Sequence, residues 1–155
     1  MDGDAQPTTA ARKRAMGLFA RASLSELADP VEAHWPAHGA RELKPVETGL
    51  VMLRGRAGGD GAPFNLGEAT ATRAIVELPT GERGWGHVLG RDAARAKLAA
   101  IIDALWQRAE LRPDVESKVL APIAARLAAA RAKAAAETAA TKVDFFTLVR
   151  GEDGA

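Results

Sequence analysis

Cysteine and tyrosine are missing from this 155-residue sequence, aromatic residues make up only 5% of it, and neither sign of charge dominates: 21 basic residues face 20 acidic ones for a formal net charge of +1. Without cysteine there is no disulfide framework, no thiolate metal site and no iron–sulfur ligation. A balanced charge gives no field that would draw the chain to nucleic acid or to an anionic membrane surface. There is no leading apolar segment and no apolar run of the roughly 20 residues that a bilayer crossing needs. The expectation is a soluble, cytoplasmic protein with neither membrane nor nucleic acid as partner.

What the sequence does have is alanine. The hydrophobic fraction is 47%, but methyl groups supply much of it, so each Leu, Ile, Phe and Trp must carry more of the core than usual. The length suits one domain. We read residues 1–9 as a short disordered lead and residues 10–152 as a single α+β domain: helical over 10–36, β over 41–89, helical over 92–140, and an apolar tail over 143–150.

Good helix formers from Ala10 to Ala22 place Met16 and Phe19 together. "SLSE" from Ser23 to Glu26 is a capping box, so a second helix begins at Leu24. Pro30 and "WPAHG" predict that this helix is kinked or short. Leu98, Ile101, Ile102, Leu105 and Trp106 recur at helical spacing, giving an amphipathic helix from Ala93 to about Glu110 with Asp92 as N-cap. Pro113 opens another helix, Pro122 interrupts or restarts it, and Ile123 to Ala140 is helical by propensity with a narrow apolar stripe.

Between the helical zones lie "VETGLVMLRGR", "GEATATRAIVEL" and "RGWGHVL", joined by the turn-rich "AGGDGAP" and "PTGE". They form a small antiparallel meander of three strands, or four with Arg41 to Lys44, packed on one side by the helices. Leu50, Val51, Met52 and Leu53 are consecutive and apolar, so both faces of that strand should be covered. "GEATATRAIVEL" has no clean inside: Glu68, Thr70, Thr72, Ala74, Val76 and Leu78 share one face, and Ala69, Ala71, Arg73, Ile75 and Glu77 the other.

Candidate chemistry is sparse. His34 and His38 have metal-ligand spacing, but Pro36 breaks the helix that would align them, so no metal site is expected. "GWGHVLGRD" looks like a phosphate loop, yet it is one residue off the dinucleotide fingerprint, has no P-loop lysine, and Asp92 sits where an anion would bind. Arg91 and His87 remain as anion-contact candidates; strand, turn and cap is the alternative. Arg54 and Arg56 flank what reads as a hairpin closure, and "RKR" at Arg12 to Arg14 reads as a solvated helix face. No nucleophile with a base and no carboxylate pair is visible, so no self-contained catalytic centre is expected. The tail "KVDFFTLVRGE" is apolar on both strand faces, with Val143, Phe145 and Val149 on one and Phe146 and Leu148 on the other. It either returns to the domain's own sheet or core or docks on another chain.

"ETGLVMLRGR", "GEATATRA", "GHVLGRD", "AAIIDAL" and "KVDFFTLVRGE" occur in this order between about Arg12 and Glu152. Together they resemble the PhnG subunit family of the bacterial phosphonate carbon–phosphorus lyase system. The resemblance implies a subunit that assembles with H, I, J and L types, the I type directly. It implies too that this chain joins the I, H and L types in transferring the ribose triphosphate of MgATP onto a phosphonate with release of adenine. It further implies that S-adenosylmethionine and an iron–sulfur cluster belong to other subunits, that this chain binds no cofactor, and that its part is mainly structural. It supplies no catalytic motif to transfer. On this reading the tail from Val143, Asp144, Phe145 and Phe146 through Leu148, Val149 and Arg150 is a partner-binding element, and Glu68, Thr72 and Arg73 meet a partner where the domain's own helices stop. Two alternatives stand beside it: polar residues lent to a shared active site for triphosphate or phosphonate, and a stand-alone homodimeric binding domain.

Overall fold

The computed structural model describes residues 7–58 and 60–140, and these divide into two compact units after Ala124. The apolar tail and its candidates from Val143 to Arg150 lie outside the described residues.

In the first unit, α1 (Thr9–Phe19) starts where the Thr8 side chain accepts from the Ala11 amide. It stops short of the expected Ala22 because Ser23 must be extended to cap the next helix. The capping box is present: Ser23 Oγ accepts from the Glu26 amide at 3.2 Å and the Glu26 carboxylate from the Ser23 amide at 2.8 Å. The second helix, α2 (Leu24–His34), runs through Pro30 and so forgoes one internal hydrogen bond.

Four strands follow: β1 (Arg41–Glu42), β2 (Glu47–Arg56), β3 (Pro63–Glu77) and β4 (Arg83–Leu89). All pairings are antiparallel and all involve β3, which takes β4 on one edge and β2, then the two-residue β1, on the other. The meander is therefore as expected, but β3 begins earlier than Gly67 and its first residues pair only with β2.

The helix α3 (Ala93–Gln107) is capped by Asp92, whose carboxylate accepts from the Arg95 amide at 2.9 Å. The expected stripe is too narrow a description, because every residue from Ala99 to Trp106 is buried. Its small side, Ala96, Ala100 and Ala104, lies against β4 at Gly84 and Gly86, and α1, α2 and α4 (Arg112–Val115) pack around it. Alanine and glycine thus buy a close backbone approach instead of apolar area. Thr72, Ala74 and Val76 of β3, Leu78 directly after it and Val88 of β4 form the inner face beneath.

Pro113 stands in the first turn of α4, as its missing donor favours. Before Pro122 the chain takes a single π-helical turn, Glu116–Leu120, and then continues as α5 (Ala121–Ala140). A widened turn makes room for a proline ring that would otherwise strike the preceding turn, so Pro122 neither stops nor restarts the helix. Ile123 closes the core of the first unit. The second unit is the remaining alanine-rich stretch of α5, where Lys133 and Glu137 pair at 3.9 Å across one turn. Among the described residues no helix is long and apolar enough to cross a membrane.

Candidate functional site

Three places concentrate chemistry in the first unit. The first is the far end of the β2–β3 hairpin. Thr48 and Thr72 are paired on the inner face, so Leu50 and Met52 continue that face while Val51 and Leu53 lie on the other. The helices do not reach this far: Leu50 is 64% exposed, Met52 52%, and Leu66, on the paired strand, 63%. Val51, Leu53 and Phe64 are exposed as well. The expectation that both faces of β2 are covered is therefore corrected within the described residues. The reason is geometric, since α3 lies over β4 and the second half of β3. A register shift at Leu53 and Arg54, opposite Gly67 at φ 148°, sets this arm apart from the rest of the sheet.

The second place is a buried ion pair. Asp103, fully buried on α3, accepts from Arg12 at 2.7 and 3.1 Å and from the Trp85 backbone amide at 2.9 Å. The Arg12 guanidinium also stands 5.1 Å from the centroid of the Trp85 ring and donates to the Arg83 carbonyl. The solvated-face reading of "RKR" thus fails at Arg12. Its partner lies 91 residues along the chain, a separation no local pattern reveals. An apolar helix carrying one aspartate was the available signal. The network also satisfies an edge amide of β4, which among the described residues pairs with no strand beyond β3.

The third place is the outer face of the sheet, where Arg73 and His87 stand directly opposite on β3 and β4, and Glu47 of β2 pairs with Arg73 at 3.2 Å. The His87 pKa is held below the ordinary 6.5, first by partial desolvation and then by the Arg73 guanidinium. A hollow of about 300 Å³ lies here among Lys44, Glu47, Arg73, Trp85 and His87.

The sequence candidates do not converge. Glu68 lies on the inner face and Arg73 on the outer one. Thr72 does not face a boundary: it is fully buried, its hydroxyl donating to the Gly90 carbonyl at 2.6 Å and accepting from the Asp92 amide at 3.3 Å. Its donor being used, the Thr48 hydroxyl at 3.1 Å must donate to it. Arg91 is exposed beside the α3 cap, away from the Arg73–His87 pair in register. Gly84 and Gly86 are packing positions, since a Cβ on either would come within 1.9 Å of an α3 carbonyl oxygen. His38 Nδ1 accepts from the Ala40 amide at 2.9 Å, which commits that nitrogen to the turn after α2.

A family model described as "Phosphonate metabolism protein PhnG" matches residues 10–151. The chain is also similar to a protein of Rhizobium meliloti (strain 1021) named alpha-D-ribose 1-methylphosphonate 5-triphosphate synthase subunit PhnG. The two are 55% identical over 148 residues, covering 93% of this chain and 92% of the relative.

Proposed function

Since the chain belongs to the PhnG family of phosphonate metabolism proteins, we propose that it serves as a subunit of an α-D-ribose 1-methylphosphonate 5-triphosphate synthase, and that its own part is assembly. The observation that carries the assembly role is the β2–β3 arm, apolar and exposed on both faces. Surface of this kind costs solubility in a free chain and is stabilised when a partner removes it from water, at about 25 cal/mol per Å² of apolar area. Among the described residues β2 pairs with β3 alone, so its other edge adds open backbone groups to the same arm.

The partner in this reading is another synthase subunit, with the I type in direct contact and the H, J and L types completing the assembly. The transfer of ribose triphosphate from MgATP to a phosphonate is then a property of the complex. S-adenosylmethionine and iron–sulfur chemistry belong to other chains, and the location is the cytoplasm. The tail from Val143 to Arg150 is a second contact element.

The test is co-expression with the I-type subunit from the same source, followed by size-exclusion mass. Wild-type chain should co-elute with it, while Leu50→Asp combined with Leu66→Asp should elute alone and folded. If the double variant still co-elutes, the arm is not the contact. Deleting residues 143–150 gives the same readout for the tail. Direct contribution of polar groups to a shared active site is favoured by one observation, the Arg73–His87 pair with Lys44 lining the same hollow.

A further inference from the structure

Two rows of charge cross the outer face of the sheet, and they are built differently. In one, Glu77 stands at the centre and is shared by Arg41 of β1 and Arg83 of β4, the latter at 3.0 Å. In the other the centre is Arg73. Glu47 meets it from β2, but β4 supplies His87 where the first row has a charge of opposite sign to its centre. Arg73 therefore has an anionic neighbour on one side only.

Further cations flank this row. Lys44 lines the 300 Å³ hollow over it. Beyond Trp85 and His87, a second hollow of about 690 Å³ adds Lys13 and Arg12 of α1. Around the two hollows four cations, Arg12, Lys13, Lys44 and Arg73, meet two carboxylates, Glu47 and Asp103. Among the described residues two positive charges go unmatched before His87 takes up a proton, and Lys13 and Lys44 make no ion pair there. The 510 Å³ hollow at the other end of β4 holds more arginines, but they are committed. Arg12 pairs with Asp103, Arg83 with Glu77, Arg108 with Glu110, and Arg112 donates to the Trp106 and Gln107 carbonyls.

We infer that the Arg73–His87 row, flanked by Lys44 and Lys13, is a binding site for the phosphate chain of a polyphosphate ester. Arg73 offers a planar fork to phosphate oxygens, His87 donates once protonated, and the two lysines reach in from opposite hollows. Cations placed on both sides of the row suit a chain of phosphates better than a single one. The subunit reading contributes the identity of the anion, because the relative's name specifies a 5-triphosphate; the site itself rests on the geometry.

The experiment is a ring-proton NMR titration of the three histidines in the full-length chain, with and without inorganic tripolyphosphate. The anion should raise the His87 pKa by about one unit or more and leave His38, on the turn after α2, where it was. Arg73→Gln should weaken tripolyphosphate binding about tenfold, with Lys118→Gln as the control that does not. If Arg73→Gln fails to fold, the wild-type His87 response decides alone. A His87 pKa that stays put, an equal shift at His38, or a response to methylphosphonate but not to tripolyphosphate would each overturn the assignment. Failure of co-elution with an intact His87 response removes the subunit reading alone, and co-elution with a silent His87 removes this site alone.

Discussion

Gly86 lies so close beneath Ala96 that a Cβ on the glycine would come within 1.9 Å of the alanine's carbonyl oxygen. The obstacle is helix backbone, which cannot rotate away as a side chain could. Gly86→Ala must lift α3 off β4 or leave the protein unfolded. The expected loss is at or above the upper end of the 1–3 kcal/mol that overpacking costs, about 3 kcal/mol, read as a lowered urea midpoint. A midpoint within error of wild type would mean that the helix sits farther from the strand than described.

Arg12 and Asp103 should couple strongly. Arg12→Ala strands a fully buried carboxylate, at about 3–5 kcal/mol for an uncompensated buried charge, and less to the extent that Arg12 is reached by water. Asp103→Asn keeps an acceptor for the Trp85 amide but gives up the charge. Chemical denaturation of both singles and the double should show the two costs failing to add. Additive costs would mean that the pair is not made.

The arm should behave in the opposite way. Leu50→Asp and Leu66→Asp remove little burial, the two residues being 64% and 63% exposed, so each should leave the unfolding free energy within about 0.5 kcal/mol and should improve solubility. A clear loss of stability would place these side chains against the chain's own structure.

Stability should fall on mild acidification. His38 is held below the ordinary 6.5 by desolvation and then by Lys97, and His87 by desolvation and then by Arg73. As pH drops below 6.5 the unfolded chain takes up these protons before the folded one does, so stability present above 6.5 is lost until the lower folded values are passed. Protonating His38 Nδ1 also breaks its bond from the Ala40 amide. Melting temperature measured from pH 7.5 to 5.5 should decline, and His38→Gln should flatten part of that slope. A flat wild-type profile would contradict both shifts.

Elements whose determinants lie within a few residues were legible in the sequence: the Ser23–Glu26 box, the Asp92 cap, the proline at the start of α4 and the turns between β2, β3 and β4. What depends on distant partners was not. Arg12 finds Asp103 across most of the chain, and Gly84 and Gly86 resemble a phosphate loop until α3 is laid upon them. The run Leu50 to Leu53 was expected to be covered because apolar pattern reports what should be dry, not which chain keeps it dry. Glu47, Arg73 and His87 belong to three separate segments, and only the strand registers bring them into one row.

The strand β3 belongs to both the arm and the core. Phe64 in the exposed half and Arg73 in the packed half lie nine residue steps apart on one strand, about 30 Å at 3.3 Å per residue. The break in that strand is at Gly67, whose φ of 148° few other residues adopt. One glycine therefore sets the direction in which the arm is aimed. A side chain placed there would meet open space but a strained backbone, so Gly67 bears on the aim of the arm without filling any packed space.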